Sequence, residues 1–466
     1  MKTGCRRFKY TIFLFTISLI SFHTFTDQPS VFALSIEKET ILGRQFLGNI
    51  RKHYDFLDDD FVDGYINDLG EYLVRPLKTK HFPFHFYIIK DNDLNAFAGP
   101  GGHIFMFAGL IEAMDKVDEL AAVLCHEIGH VSARHLSHRI EQSKKMGLAT
   151  MAGILAGTLL HGQLSEAIIT GSMAAGIQKQ LSYSRDDERQ ADQLGHKYMD
   201  QAGFDPYSMI TALRKIQEGQ WLNIDHIPPY LLTHPVGPER MSNIETMLST
   251  YTVKQEREET ARFKRLFPFF KTILQAKYLE PHDAERLFNR ELEKNPDSTI
   301  AHFGLGMVWK ERAEYPKAID NFQKALKRLP ESLPVLRHLG EAYQLKGEDR
   351  EAIEVFERAL KIDSRDKASL YLQAMSFQNI EKYSTAIRIY ERLTSMEPVR
   401  HEVFYNLGLS YGREDRLGLA HYNSGIYFKR VKKREEARFH FQKANELSDN
   451  DPSLKRRIKK EMKDLR

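Results

Sequence analysis

From about residue 265 onward the sequence repeats itself every 34 residues. Gly306, Gly340, Ala374 and Gly408 keep that spacing, and so do the aromatic residues Trp309, Tyr343, Phe377 and Tyr411. Ala318, Ala352, Ala386 and Ala420 form a second series with the same period, followed by Phe322, Phe356 and Tyr390. Pro330 and Pro398, with Ser364 between them, mark the unit ends. A fixed period of this length constrains the fold more than any other feature of the chain. Each unit is a helical hairpin that cannot bury its apolar face alone, so the units must stack into a solenoid.

The pattern resembles the tetratricopeptide repeat. Its small residues let the two helices of a hairpin approach, and its aromatics fill the groove between hairpins. Ala284, Phe288 and Pro296 continue the register one unit upstream, which predicts a degenerate first repeat. Gly425, Phe428, Ala437, Phe441 and Ala444 match again, but 17 residues after Gly408 rather than 34. One helix must therefore play a double part near the C-terminus.

The repeats leave an N-terminal segment to explain. Lys2, Arg6, Arg7 and Lys9 precede an uncharged, mostly apolar run from Thr11 to Phe22, and Val31-Phe32-Ala33 offers small-residue cleavage. Residues 1–33 are expected to be a cleavable signal peptide, because an apolar run of 12 residues is short of the roughly 20 a membrane span needs. Cleavage leaves 63 basic against 62 acidic residues and Cys125 as the one thiol. That balance argues against nucleic acid as a partner, and no intrachain disulfide framework is possible. A nearly Cys-free exported chain fits the bacterial periplasm. The expected domains are 34–252, a charged linker at 253–264, repeats over 265–455 and a basic tail at 456–466. Within the first, Phe84–Ile89 and His103–Phe107 are aromatic and β-branched, so a small sheet joins a mainly helical fold.

The chemistry is concentrated in His126-Glu127-Ile128-Gly129-His130. Leu120, Val123, Leu124, Ile128 and Val131 recur at helical spacing around it, with Asp115 and Asp118 as candidate caps. Histidines at i and i+4 share a helix face and can reach one zinc ion, while Glu127 stands to the side as a proton acceptor for water. His135, nine residues past His126, falls on the opposite face of a continued helix and reads as structural or solvated. A peptidase zinc needs a third protein ligand. The best candidate lies in Ser184-Arg185-Asp186-Asp187-Glu188-Arg189-Gln190-Ala191-Asp192, where Glu188 and Asp192 share a face. Acidic residues on a charged helix are usually solvated, so the upstream motif is what favours Glu188 as a ligand. Asp192 would then orient a ligating histidine.

HExxH followed 58 residues later by SRxxExxAD, with Asn95-Ala96-Phe97-Ala98 and Gly101-Gly102 ahead of it, resembles the HtpX-like gluzincin peptidases. With the expected export signal and C-terminal repeats, the chain resembles the periplasmic BepA-type branch, which tends outer-membrane β-barrel assembly. The resemblance implies one zinc ion per chain held by His126, His130 and Glu188, with Glu127 as general base. It also implies that His234, in Thr233-His234-Pro235, can take the fourth zinc position and hold the enzyme latent, and that Arg240 has a role in catalysis. On residue grounds alone His234 is a loop histidine and Arg240 a surface or salt-bridging cation.

The implied activity is endopeptidase cleavage of misfolded or misassembled envelope proteins, with the repeats recruiting substrate or assembly machinery. The alternative is a chaperone or assembly scaffold whose zinc site stays mostly latent. His103–Phe107 is read equally as an edge strand for an extended substrate and as a core strand. The apolar runs Met146–Leu160 and Ile168–Ile177 read as buried helices, with peripheral membrane contact the lesser reading.

Overall fold

The computed structural model describes residues 34–142, 183–222, 228–252, 255–448 and 451–465. The expected signal peptide and both apolar runs between 146 and 177 lie outside the described residues.

The N-terminal half is built around a small sheet of β1 (His85–Ile89), β2 (Ala96–Ala98) and β3 (His103–Phe107). Its order is β1-β3-β2: His85 pairs with His103 in a parallel ladder, and Ala96 pairs with Met106 in an antiparallel one. The strand β3 is therefore central and buried at all five residues, so the edge-strand reading of His103–Phe107 is corrected. The edges belong to β1 and to β2, which is too short to announce itself by alternation.

Side chains of a strand alternate between faces, and here both faces are covered. Helix α1 (Ile36–His53) lays Leu42, Phe46 and Ile50 on one face, against Phe97, Phe105 and Phe107. Phe46 meets Phe97 and Phe105 edge-on, with ring centroids 6.1 and 5.8 Å apart. Ser35 caps α1 by accepting from Lys38 N–H at 3.3 Å, and basic residues fill its last turn. Helix α2 (Asp60–Val74), short α3 (Ala108–Ala113) and α4 (Val117–Ser132) share the core on the opposite face with Phe86, Ile88, Ile104 and Met106. The turn at Gly99–Gly102 packs so tightly under α1 that a Cβ on Gly43 would stand 2.4 Å from Pro100 O.

Beyond α4 come α5 (His135–Gln142), α6 (Arg185–Ala202), α7 (Ser208–Leu222), α8 (Pro229–Thr233) and α9 (Pro238–Leu248). Helix α10 (Glu258–Tyr278) starts inside the expected linker and buries Thr260 and Phe263. The stripe Phe263, Phe267, Phe270 has helical spacing, and it begins within the charged stretch that read as linker. Phe270 stacks on Tyr65 of α2 at 4.4 Å, while Phe269 meets Phe303 of the repeats at 5.3 Å. One apolar core thus runs from the sheet into the repeats.

The repeat helices are α11 (Pro281–Lys294), α12 (Thr299–Glu311), α13 (Tyr315–Arg328), α14 (Leu333–Lys346), α15 (Asp349–Ile362), α16 (Lys367–Asn379), α17 (Tyr383–Thr394), α18 (His401–Arg413), α19 (Leu417–Arg430), α20 (Arg434–Glu446) and α21 (Pro452–Lys463). A Cβ on Gly306 or Gly340 would come 2.5 Å from the ring of Phe322 or Phe356, which shows why the small and aromatic series share a period. Helix α19 packs twice. Gly408 of α18 faces its Ala420 and Ser424, and its own Gly425 faces Phe441 of α20. The half-period offset is thus one helix acting as second member of one hairpin and first of the next. The expected basic tail is part of a packed helix, because α21 buries Leu454 and Ile458 and lays Arg457 over the Tyr422 ring at 4.3 Å.

Candidate metal centre

The site lies where α4 crosses α6, and glycine sets the distance. A Cβ on Gly129 would stand 2.9 Å from Ala191 O, and one on Gly195 would stand 3.3 Å from His126 N. The backbones approach closely enough for Glu188 and Asp192 to face the HExxH histidines. Each helix is fixed at its start. Ser184 Oγ accepts from Asp187 N–H at 3.1 Å while the Asp187 carboxylate accepts from Ser184 N–H at 3.0 Å, a reciprocal cap. On α4 the capping acceptor is Glu119, which takes Asp115 N–H at 2.7 Å. Asp118, expected to cap, instead accepts from Asp205 N–H at 3.0 Å.

His126, His130, Glu188 and His234 are all buried, and one donor atom from each lies within 4.8 Å of the other three. His126 Nε2 is 3.0 Å from His130 Nε2 and 3.4 Å from Glu188 Oε2. His130 Nε2 is 3.3 Å from Glu188 Oε1. His234 enters with Nδ1, 2.9 Å from Glu188 Oε1 and 3.3 Å from His126 Nε2. Three imidazole nitrogens and a carboxylate oxygen converging on one buried point fit a zinc ion.

The partners of these groups fix their orientation. His126 Nδ1 faces Asp192 Oδ1 at 2.9 Å. Arg240 holds Asp192 with Nε and Nη2, both at 2.8 Å, and sets Nη1 2.6 Å from Glu188 Oε2. Arg240 is thus the salt-bridging cation of the two readings, buried and holding two carboxylates, and not the surface one. Burial opposes charge on His126, but Glu188, with help from Asp192, outweighs it and lifts the pKa to about 9. The same carboxylates that favour a proton there favour a divalent cation. Burial also opposes ionisation of Glu188, yet His234 and Arg240 hold its carboxyl well below the usual range.

Glu127 is fully buried, and burial raises its pKa. His234 Nε2 stands 3.5 Å from Glu127 Oε1. The His234 ring stacks at a tilt of 26° on Tyr230 at 4.5 Å and of 29° on Tyr183 at 5.1 Å, so two tyrosines flank it. A cleft of about 420 Å³ opens beside Glu188, lined by Tyr183, Arg189, Pro235, Gly237 and Met247 among others. Cys125 is buried, with its thiol pushed up by burial, and is a core residue of α4.

Four residues at the site were not visible as such in the sequence. Tyr183 and Tyr230 carry no motif. His135 was set on a far, structural or solvated face, but it is 2% exposed and its Nδ1 is 3.0 Å from His130 Nδ1. The α4 helix ends at Ser132, and Arg134 with φ of 56° turns the chain back, so the helical projection fails there. Gln190, on α6, meets His135 Nε2 through Oε1 at 2.9 Å.

Fold and site together define a domain with a candidate metal centre, joined to a helical-repeat solenoid. Residues 61–248 match peptidase family M48, and residues 280–332, 310–375 and 368–398 match tetratricopeptide-repeat families. The chain carries an M48 peptidase domain followed by tetratricopeptide repeats. It is 34% identical over 213 residues to the beta-barrel assembly-enhancing protease of Yersinia pestis, covering 45% of this chain and 44% of that relative. The protein of the same name from Escherichia coli strain K12 is 33% identical over the same shares. The mitochondrial metalloendopeptidase OMA1 of Schizosaccharomyces pombe is 32% identical over 41% of this chain and 55% of its own. The chain thus matches less than half the length of its bacterial relatives, 44% in both.

Proposed function

We propose that this chain is a periplasmic zinc-dependent endopeptidase that cleaves misfolded or misassembled outer-membrane proteins. The observation that carries the reading is the buried convergence of His126, His130, Glu188 and His234 beside Glu127. His126, His130 and Glu188 hold the zinc, and His234 takes the remaining position in a latent state. When bound, the zinc polarises the scissile carbonyl and lowers the pKa of water toward about 7. Glu127 takes a proton from the attacking water and returns it to the leaving amine. Asp192 keeps His126 in the tautomer that presents Nε2, and Arg240 holds Asp192 and Glu188 in place. Movement of α8 and the His234 turn opens the position that substrate needs.

The names of the bacterial relatives and the export signal expected at residues 1–33 support the location and the client class. Among the described residues no helix is long and apolar enough to cross a membrane. The repeats recruit client or assembly partner, in keeping with a pocket of about 700 Å³ lined by Phe404, Tyr411, Tyr422 and Arg457 among others. Full burial of His234 also favours a second reading, a chaperone or assembly scaffold whose zinc site rarely opens. The test is zinc content and cleavage of an unfolded outer-membrane β-barrel by the mature chain. Wild type and Glu127→Gln should each hold one zinc while only wild type cuts, and Glu188→Gln should hold less. Zinc in each with cleavage in neither moves the scaffold reading ahead.

A further inference from the structure

The two HExxH histidines are oriented by different means, and among the described residues the second has no carboxylate on its outer nitrogen. His126 Nδ1 faces Asp192 at 2.9 Å, but His130 Nδ1 faces another imidazole, His135 Nδ1, at 3.0 Å. Only one of two nitrogens at that distance can carry the hydrogen. Gln190 Oε1, 2.9 Å from His135 Nε2, places the His135 proton on Nε2 and leaves its Nδ1 bare. His130 must then donate from Nδ1, and its Nε2 lone pair turns toward Glu188, His126 and the metal point.

We propose that His135 is a positioning residue, the middle of a neutral relay Gln190–His135–His130 that fixes the metal-binding tautomer of His130. The proposal rests on the metallopeptidase reading above. A carboxylate at this place would put another buried negative charge close to Glu188, and an imidazole provides the same acceptor without net charge. The relay is held from outside. Asp187 Oδ1 is 3.7 Å from His135 Nε2, and Asp187 is itself fixed by Arg139 at 2.5 Å. The αL turn at Arg134 that brings His135 back is tied to α1 by Arg134 Nη2 donating to Glu39 Oε2 at 2.8 Å. The α6 helix thus supplies Glu188 and Asp192 from one face and Gln190 and Asp187 to the relay.

The test compares mature wild type, His135→Leu and His135→Asn by zinc affinity in chelator competition and by the visible spectrum of the cobalt-substituted protein. Asn sets a carbonyl oxygen where His135 Nδ1 stands, and Leu fills the space without an acceptor. His135→Leu should weaken zinc binding roughly 10- to 100-fold and change the cobalt spectrum, and His135→Asn should recover most of both. Leu binding as wild type, or Asn as weak as Leu with unchanged thermal unfolding of the apoproteins, overturns the relay. Should Leu not fold, ring-nitrogen NMR of zinc-free wild type decides: a hydrogen on His130 Nε2 rather than Nδ1 contradicts the proposal. Wild type that binds no zinc defeats the metallopeptidase reading instead, which keeps the two failures apart.

Discussion

Arg240 grips Asp192 through two parallel hydrogen bonds of 2.8 Å, from Nε and from Nη2. The planar fork fits the carboxylate and leaves Nη1 for Glu188 at 2.6 Å. Removing one partner of a buried pair leaves the other charge uncompensated, at a cost of about 3–5 kcal/mol. Arg240→Ala should therefore unfold at lower temperature and need more zinc to saturate. Arg240→Lys should recover little, since an ammonium cannot span both carboxylates. Thermal unfolding with and without chelator measures both effects, and a fully active, zinc-replete Lys variant would show that the fork is not needed.

The crossing of α4 and α6 depends on Gly129, where a Cβ would meet Ala191 O at 2.9 Å. Gly129→Ala should cost about 1–3 kcal/mol through overpacking and weaken zinc binding by moving Glu188 away from the histidines. Gly48 of α1, with nothing within 4 Å of a Cβ, is the control. Gly48→Ala should be neutral or stabilising by up to about 1 kcal/mol. Equal effects at the two positions would remove the argument from close approach.

Repeat packing makes a second steric prediction. Gly340→Ala drives a methyl into the Phe356 ring, 2.5 Å from the ideal Cβ, and should cost about 1–3 kcal/mol. Combining it with Phe356→Leu should cost less than the sum of the two single changes, because the smaller side chain vacates the space. Denaturant unfolding of the four proteins gives the coupling, and strict additivity would argue against this contact.

Acid sensitivity should come in part from His103. Burial, with the neighbouring His85, lowers its pKa from 6.5 to about 4. Between those values the unfolded chain takes a proton that the folded chain refuses, so stability falls as pH drops from about 6.5 toward 4. Below the folded pKa both states are protonated and the loss is complete, at about 3 kcal/mol for this shift. His103→Leu should lose less stability than wild type between pH 7 and pH 4, whatever its stability at pH 7. Parallel pH profiles for the two would exclude His103 as a source of the acid loss.

The repeats and the HExxH helix were legible because each rests on a strict period. Side chains 34 residues apart share one environment, and His126 and His130 share one helix face. What the sequence did not carry was made by turns and by contacts between elements. His135 was misplaced because one αL residue, Arg134, ends the helical projection that set its face. The strand β2 escaped because three residues cannot display alternation, and with it went the central place of β3. Helix α10 escaped because its aromatic stripe starts under a run of surface charge. Of the two residue-based readings of Arg240, surface or salt-bridging, the second holds, but its two carboxylate partners lie on another helix and were not legible as such.

The measurement that bears most directly on the account is proteolysis by His234→Ala beside wild type, with zinc assayed in both. His234 is fully buried, and its Nδ1 points into the same space as the other three ligand atoms. Removing it should leave one zinc on His126, His130 and Glu188 and speed cleavage of an unfolded β-barrel substrate. A variant that keeps its zinc and cuts no faster than wild type would contradict the latent-peptidase account.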